Sequence, residues 1–282
     1  MANPRARMLA PIALVASIAG LASVIAMSGV FASAQSGSIA AHHLEGTLHG
    51  YLVLRSESGQ ILAVGDDIQI VRGSRVTIHL IFHFKDGSLD DETSVFTQHD
   101  GFQLISDHHV QKGPFFAHPM ELSIDAQKGE VTVRSAGKND KEEVHTDHMK
   151  LPPDLCSPAM IGTIAKNLPA NAEGTEVSMV VATPRPRLVK IAFTAQGEDK
   201  FSVAGSERVA RHYEMKFELQ GLAGVVAPLI GKKPPDVEIW IEPGEVPSFV
   251  KEIGPLSEGS PAVSMQQAGP VGPKDPDAGP VQ

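Results

Sequence analysis

The chain has 282 residues, with 24 basic side chains against 33 acidic ones and a formal net charge of −9. No run of Lys or Arg overrides that sign locally, which excludes nucleic-acid binding and docking on anionic lipid through a basic patch. Cys156 is the only cysteine, so no intramolecular disulfide can form and stability must come from a buried core, for which the 42% hydrophobic content suffices.

Arg5 and Arg7 precede an apolar run over residues 8–31, and Ala32-Ser33-Ala34 follows it. This is the pattern of a signal peptide spanning residues 1–34, with small residues placed for cleavage before Gln35. The expected product is exported, periplasmic or secreted, and carries 22 basic against 33 acidic residues, a net charge of −11. The apolar run is also long enough to span a bilayer, so an uncleaved anchor is the alternative, and the only route to a membrane association. Residues 35–43 read as a flexible start.

From residue 44 the pattern is that of short strands. Leu44, Leu48, Leu52 and Leu54 share one parity, and Glu57-Ser58-Gly59 turns the chain. Residues 60–71 continue the pattern, with Gly65-Asp66-Asp67 expected as a bulge or turn. A meander follows over 76–84, 89–97 and 102–111. Its first run places Val76, Ile78, Leu80, Phe82 and Phe84 on one face and Thr77, His79, Ile81 and His83 on the other. Pro114 and Pro119 interrupt pairing. Strands are expected again at 120–125, 130–135 and 142–149, joined by hairpin turns.

Ser157-Pro158 introduces a helix over 159–168, with Ser157 as its N-cap. Strands resume at 175–182, 188–195, 200–204 and 207–219. The last sets Val209, Tyr213, Met215, Phe217 and Leu219 against Arg208, His212, Glu214, Lys216 and Glu218, with Arg211 out of place on the apolar side. The uncharged stretch 221–231, with Gly224 and Pro228, is expected as a short buried helix or plug. Strands at 237–241 and 248–253 end the domain, and the Pro/Gly-rich segment 260–282 is expected to be disordered. The fold class is therefore mainly β: one domain over 44–259, an antiparallel curled sheet or half-barrel with one or two short helices packed on it.

The segments FKDGSLDDET (84–93), SDHHVQKGP (106–114), HMKLPPD (148–154) and APLIGKKPPD (227–236) resemble a family of uncharacterised exported bacterial β-proteins, a domain of unknown function. The resemblance covers roughly residues 45–256. It implies an exported β-fold and brings no catalytic residues with it. On architecture alone, the expected shape is similar to the half-barrels of periplasmic lipoprotein carriers.

Twelve histidines raise the question of a metal. Asp107 and His109 share one strand face, as do His145 and Asp147, so these four form a metal site only where their strands are neighbours. Hydrogen-bonded or exposed strand histidines are the competing reading. Asp90-Asp91-Glu92 lacks the calcium-loop pattern and reads as a solvated face. Cys156 has no base in a recognisable signature and reads as a small buried residue. Neither a catalytic set nor a cofactor motif is present: G-x-S-x-G, H-E-x-x-H and G-x-G-x-x-G do not occur.

The leading expectation is a non-enzymatic exported protein that binds or carries a lipid or other hydrophobic molecule. Phe82, Phe84, Phe102, Tyr213, Phe217, Leu222 and Leu229 are the candidate cavity residues, with 222–230 covering a barrel mouth. A cell-envelope structural or protein-interaction module with an unspecified partner is the alternative, and a metal-assisted hydrolase the third reading.

Overall fold

The computed structural model describes residues 38–136, 141–183, 185–203, 205–219, 236–257 and 259–268. Alternation of β-branched and aromatic residues with polar ones, broken by turn residues, gives fifteen strands among them. The first arm is β1 (Leu48–Ser56), β2 (Ile61–Arg72), β3 (Arg75–Phe84), β4 (Leu89–Thr97), β5 (Gln103–Lys112), β6 (Met120–Asp125), β7 (Glu130–Ala136) and β8 (Glu142–His148). The second is β9 (Leu155–Cys156), β10 (Glu176–Val181), β11 (Arg187–Val203), β12 (Ser206–Leu219), β13 (Val237–Glu242), β14 (Ser248–Pro255) and β15 (Ala262–Gln267).

All fifteen belong to one sheet in the order β8-β7-β6-β5-β4-β3-β2-β1-β15-β14-β13-β12-β11-β10-β9. The chain starts at the centre, walks by hairpins to one edge, crosses to the other edge and walks back. Its last strand thereby lies beside its first. Only the β9/β10 pair is parallel. The sheet ends on two open edges and is not strongly curled, which corrects the expected curl into a half-barrel. A short segment on the sheet's face does the covering instead.

That segment is the crossover. Pro158–Met160 forms a 3-10 turn that leads into α1 (Ile161–Lys166). Proline at the first position suits a helix start, as its missing N–H has no partner to lose. Ser157, expected as an N-cap, makes no capping bond; its Oγ instead lies 2.6 Å from Ser94 Oγ on β4. The turn packs on β3 and β4, and α1 packs on β13 and β14, so this short segment touches both arms. Its buried Met160, Ile161 and Ile164 join Val76, Ile78 and Phe96 of one arm and Val177, Ile191 and Ile239 of the other in one apolar cluster. A smaller cluster holds Leu52, Leu54, Ala63, Phe82, Phe84, Phe116 and Val263.

Three other expectations change. Gly65 makes no bulge: β2 stays in register with β3 past it, and Phe82 and the Ile81 carbonyl occupy the space a β-carbon would need. The start is anchored: Ile39 and Ala41 pack on the main cluster, and Phe102 N–H donates to the Ile39 carbonyl at 3.0 Å. Part of the expected disordered tail is β15, which pairs with both β1 and β14 and buries Val263, because Ala262–Gln267 is a proline-free alternating run inside the Pro/Gly-rich flanks. In β12 the inward alternation holds at Tyr213 and Met215, but Val209 lies exposed where the β11–β12 hairpin extends outward. The 221–231 segment and residues 1–34 lie outside the described residues. No helix among the described residues is long and apolar enough to cross a membrane.

Candidate functional site

Where the crossover segment, the 3-10 turn with α1, bridges the two arms, it roofs the middle of the sheet without filling the space beneath. The result is a cavity of about 510 Å³. Its floor is the inner face of β1, β2, β3, β14 and β15, and its roof is Pro158, Ala159, Gly162, Thr163 and Lys166. Residues 42–47 and 245–248 form the rim. Register explains the floor. Leu48, Gly50 and Leu52 of β1 lie opposite Gln69, Asp67 and Gly65 of β2, which in turn lie opposite Ile78, Leu80 and Phe82 of β3. At Gly50 an added β-carbon would meet nothing nearer than 3.9 Å, so the missing side chain leaves room above it.

The lining is part apolar and part charged. Leu52, Ile78, Leu80, Phe249 and Met265 supply apolar surface, and Glu45, Asp67, Lys166 and Glu252 supply charge. Lys166 Nζ lies 2.5 Å from Glu45 Oε1. Gln69 Nε2 donates to Glu45 Oε2 at 3.0 Å and to the Gly46 carbonyl at 2.6 Å. Gln98 Oε1 accepts the Glu45 backbone N–H at 2.7 Å, so Gln69 and Gln98 both hold Glu45 in this ion pair. Asp67 Oδ1 is buried with no hydrogen-bond partner among the described residues. Burial raises the Asp67 pKa, Lys166 opposes that rise and Glu45 adds to it.

Glu252 is the anomaly of the lining. On β14 it pairs with Ile239 and Met265, so its side chain is on the inner face with those two while Ile253 takes the outer one. No hydrogen bond or ion pair to its carboxyl is found among the described residues, and burial alone pushes its pKa up to about 7. Its half-buried surface is consistent with this burial, since a group that borders a cavity presents surface to the cavity while lying deep beneath the protein exterior.

A second polar group lies buried on the same inner face. Asp90, Glu92 and Ser94 of β4 are opposite Gln111, His109 and Asp107 of β5, and all six are buried. His109 Nε2 is 2.6 Å from Asp90 Oδ1. Ser94 Oγ donates to Asp107 Oδ1 at 2.5 Å, and Ala159 N–H donates to Glu92 Oε1 at 2.8 Å, tying the stripe to the crossover. Burial raises the Glu92 pKa, and burial with the Glu92 charge holds Asp107 well above the usual carboxylate range. For His109, burial favours the neutral ring, but Glu92, Asp90 and Asp107 outweigh it and push the pKa up to about 9. The stripe is a buried network that ties the crossover to the sheet through Ala159 and Ser157.

The metal candidates are not brought together. Asp107 and His109 sit on β5, His145 and Asp147 on the edge strand β8, and β6 and β7 intervene. His145 is half-buried, with Glu143 3.8 Å away. Among the described residues no three His, Cys, Asp or Glu side chains are placed to hold a metal ion. Asp90 and Glu92, read as a solvated face, are buried, whereas Asp91 between them pairs with His79 on the other face at 2.9 Å. Cys156 is buried and its thiol pKa is pushed far up by burial and by Asp154, so it is no nucleophile.

The expected cavity residues are core residues. Phe82 and Phe84 fill the smaller cluster, Phe102 and Tyr213 the main one, and Phe217 packs against it. None of these five lines the cavity, and Leu222 and Leu229 lie outside the described residues. Sequence reasoning missed Glu45, Asp67, Lys166 and Glu252. No protein-family model matches the chain, and no curated protein matches it in sequence.

Proposed function

We propose that this is an exported, non-enzymatic binder of a small amphipathic molecule, held in the cavity under α1. The supporting observation is the cavity itself: about 510 Å³, lined by apolar side chains with a few charged groups among them. Its volume lies within the range of roughly 300–1,000 Å³ typical of small-molecule sites, and sites of that kind combine apolar surface with a few placed polar groups. An open sheet roofed by a helix takes the place of the half-barrel that the resemblance suggests. Glu45, Asp67, Lys166 and Glu252 in the lining give a ligand polar groups to meet. The segment over residues 1–34 supplies export in this reading.

The test is displacement of a neutral fluorescent apolar probe, N-phenyl-1-naphthylamine, by candidate amphiphiles. Saturable binding by the wild type and its loss in Gly50→Val, which fills the floor, is the expected result. Equal binding by both proteins would remove the cavity as the site.

A further inference from the structure

Resting on that reading, we infer that the cavity selects an amphipathic cation, an alkylammonium-type molecule whose charged end meets Glu252 while its apolar body lies over Leu52, Leu80 and Met265.

The charges that line the cavity are unbalanced. The acids are Glu45 on the entering segment, Asp67 on β2, Glu252 on β14 and Glu245 on the rim. Among the described residues Lys166 is the one Lys or Arg of the lining, and it is paired with Glu45. His42 and His43 complete the titratable lining on the entering segment. Glu252 stands between Ile239 and Met265 in the register and borders the cavity, with no hydrogen bond or ion pair to its carboxyl among the described residues, and Asp67 Oδ1 is buried without a hydrogen bond. A carboxylate in that position loses hydration and gains nothing in return. An ammonium group would return both charge and hydrogen bonds to it. A ligand carboxylate would face Asp67, Glu245 and Glu252 with Lys166 already paired to Glu45, and an alcohol would offer no charge.

The same geometry makes capture dependent on pH. Glu252 titrates near 7, so the carboxylate that attracts the cation is present above that value and is lost as pH falls through it. Asp67, raised by burial, reinforces the sign.

Isothermal titration with n-octylammonium, 1-octanol and octanoate separates the possibilities. At pH 8 octylammonium is expected to bind roughly tenfold or more tightly than 1-octanol, the gain of a hydrogen bond to a charged group. That ratio should fall toward one at pH 5, and also in Glu252→Gln at pH 8. The wild-type pH series carries the test even where the variant folds poorly. Octanol or octanoate binding as tightly as octylammonium at pH 8 overturns the cation inference and leaves the binder reading standing. No binding of any of the three overturns both.

Discussion

Glu252 offers a test of the cavity's environment that needs no ligand. Its folded pKa of about 7 lies above the ordinary 4.5, so between these values the folded protein holds a proton that the unfolded chain releases. Stability contributed by the neutral carboxyl is complete below 4.5 and is lost as pH rises through 7. The gap corresponds to about 3 kcal/mol of destabilisation at pH 8. Glu252→Gln keeps the size of the side chain and cannot ionise. The variant should match the wild type near pH 4 and exceed it by about 3 kcal/mol at pH 8. In urea, with a slope of roughly 3 kcal/mol per molar for a domain of this size, the midpoint at pH 8 should rise by about 1 M. Trp240, the only tryptophan, is 7% exposed, and its emission will report the transition. Parallel midpoints for the two proteins across pH 4–8, or a less stable variant at pH 8, would show that the carboxyl is hydrated or partnered, and the reasoning about this lining would fail.

Four further outcomes are expected. His109→Gln removes the buried cation that pairs Asp90 and Glu92 and should cost about 3–5 kcal/mol in denaturant melts at pH 7. Because the folded pKa of His109 is about 9 against an ordinary 6.5, the wild type should lose that advantage as pH rises through 9, narrowing the difference. Gly65→Ala should lower stability by about 1–3 kcal/mol by thermal unfolding, since its methyl would meet Phe82 and the Ile81 carbonyl. Gly50→Val, with only ordinary contacts at its β-carbon, should change the melting temperature little while blocking the apolar probe. Cys156 should react with a thiol reagent only on the timescale of unfolding, read from the coloured thiolate released.

The strands of the first arm were legible because alternation and turn residues agree. The 76–84 run lies with Val76, Ile78, Phe82 and Phe84 buried on the expected face. The helix start was legible through Pro158, although Ser157 serves β4 instead of the helix. The polar stripe was not legible, because Asp90 and Glu92 alternate as a solvated strand face would. Only the pairing of β4 with β3 and β5 turns them inward. Glu252 was hidden for a similar reason. Next to Ile253, the apolar neighbour is the natural inward residue, and the register with Ile239 and Met265 reverses them. The strand β15 was masked by its setting, six residues without proline inside a segment whose composition is that of a tail. Neither a glycine in the floor nor a lysine on the roof has a local pattern that reveals what the crossover will place opposite it.

The central claim is that the space beneath α1 holds a small amphipathic molecule. Native mass spectrometry of protein purified without denaturant from the exporting cells, with Gly50→Val prepared beside it, tests this most directly. The account requires a single bound small molecule on the wild type, released on unfolding, and a bare Gly50→Val protein. A wild type that arrives bare and takes up no octylammonium, octanol or octanoate on incubation would contradict it.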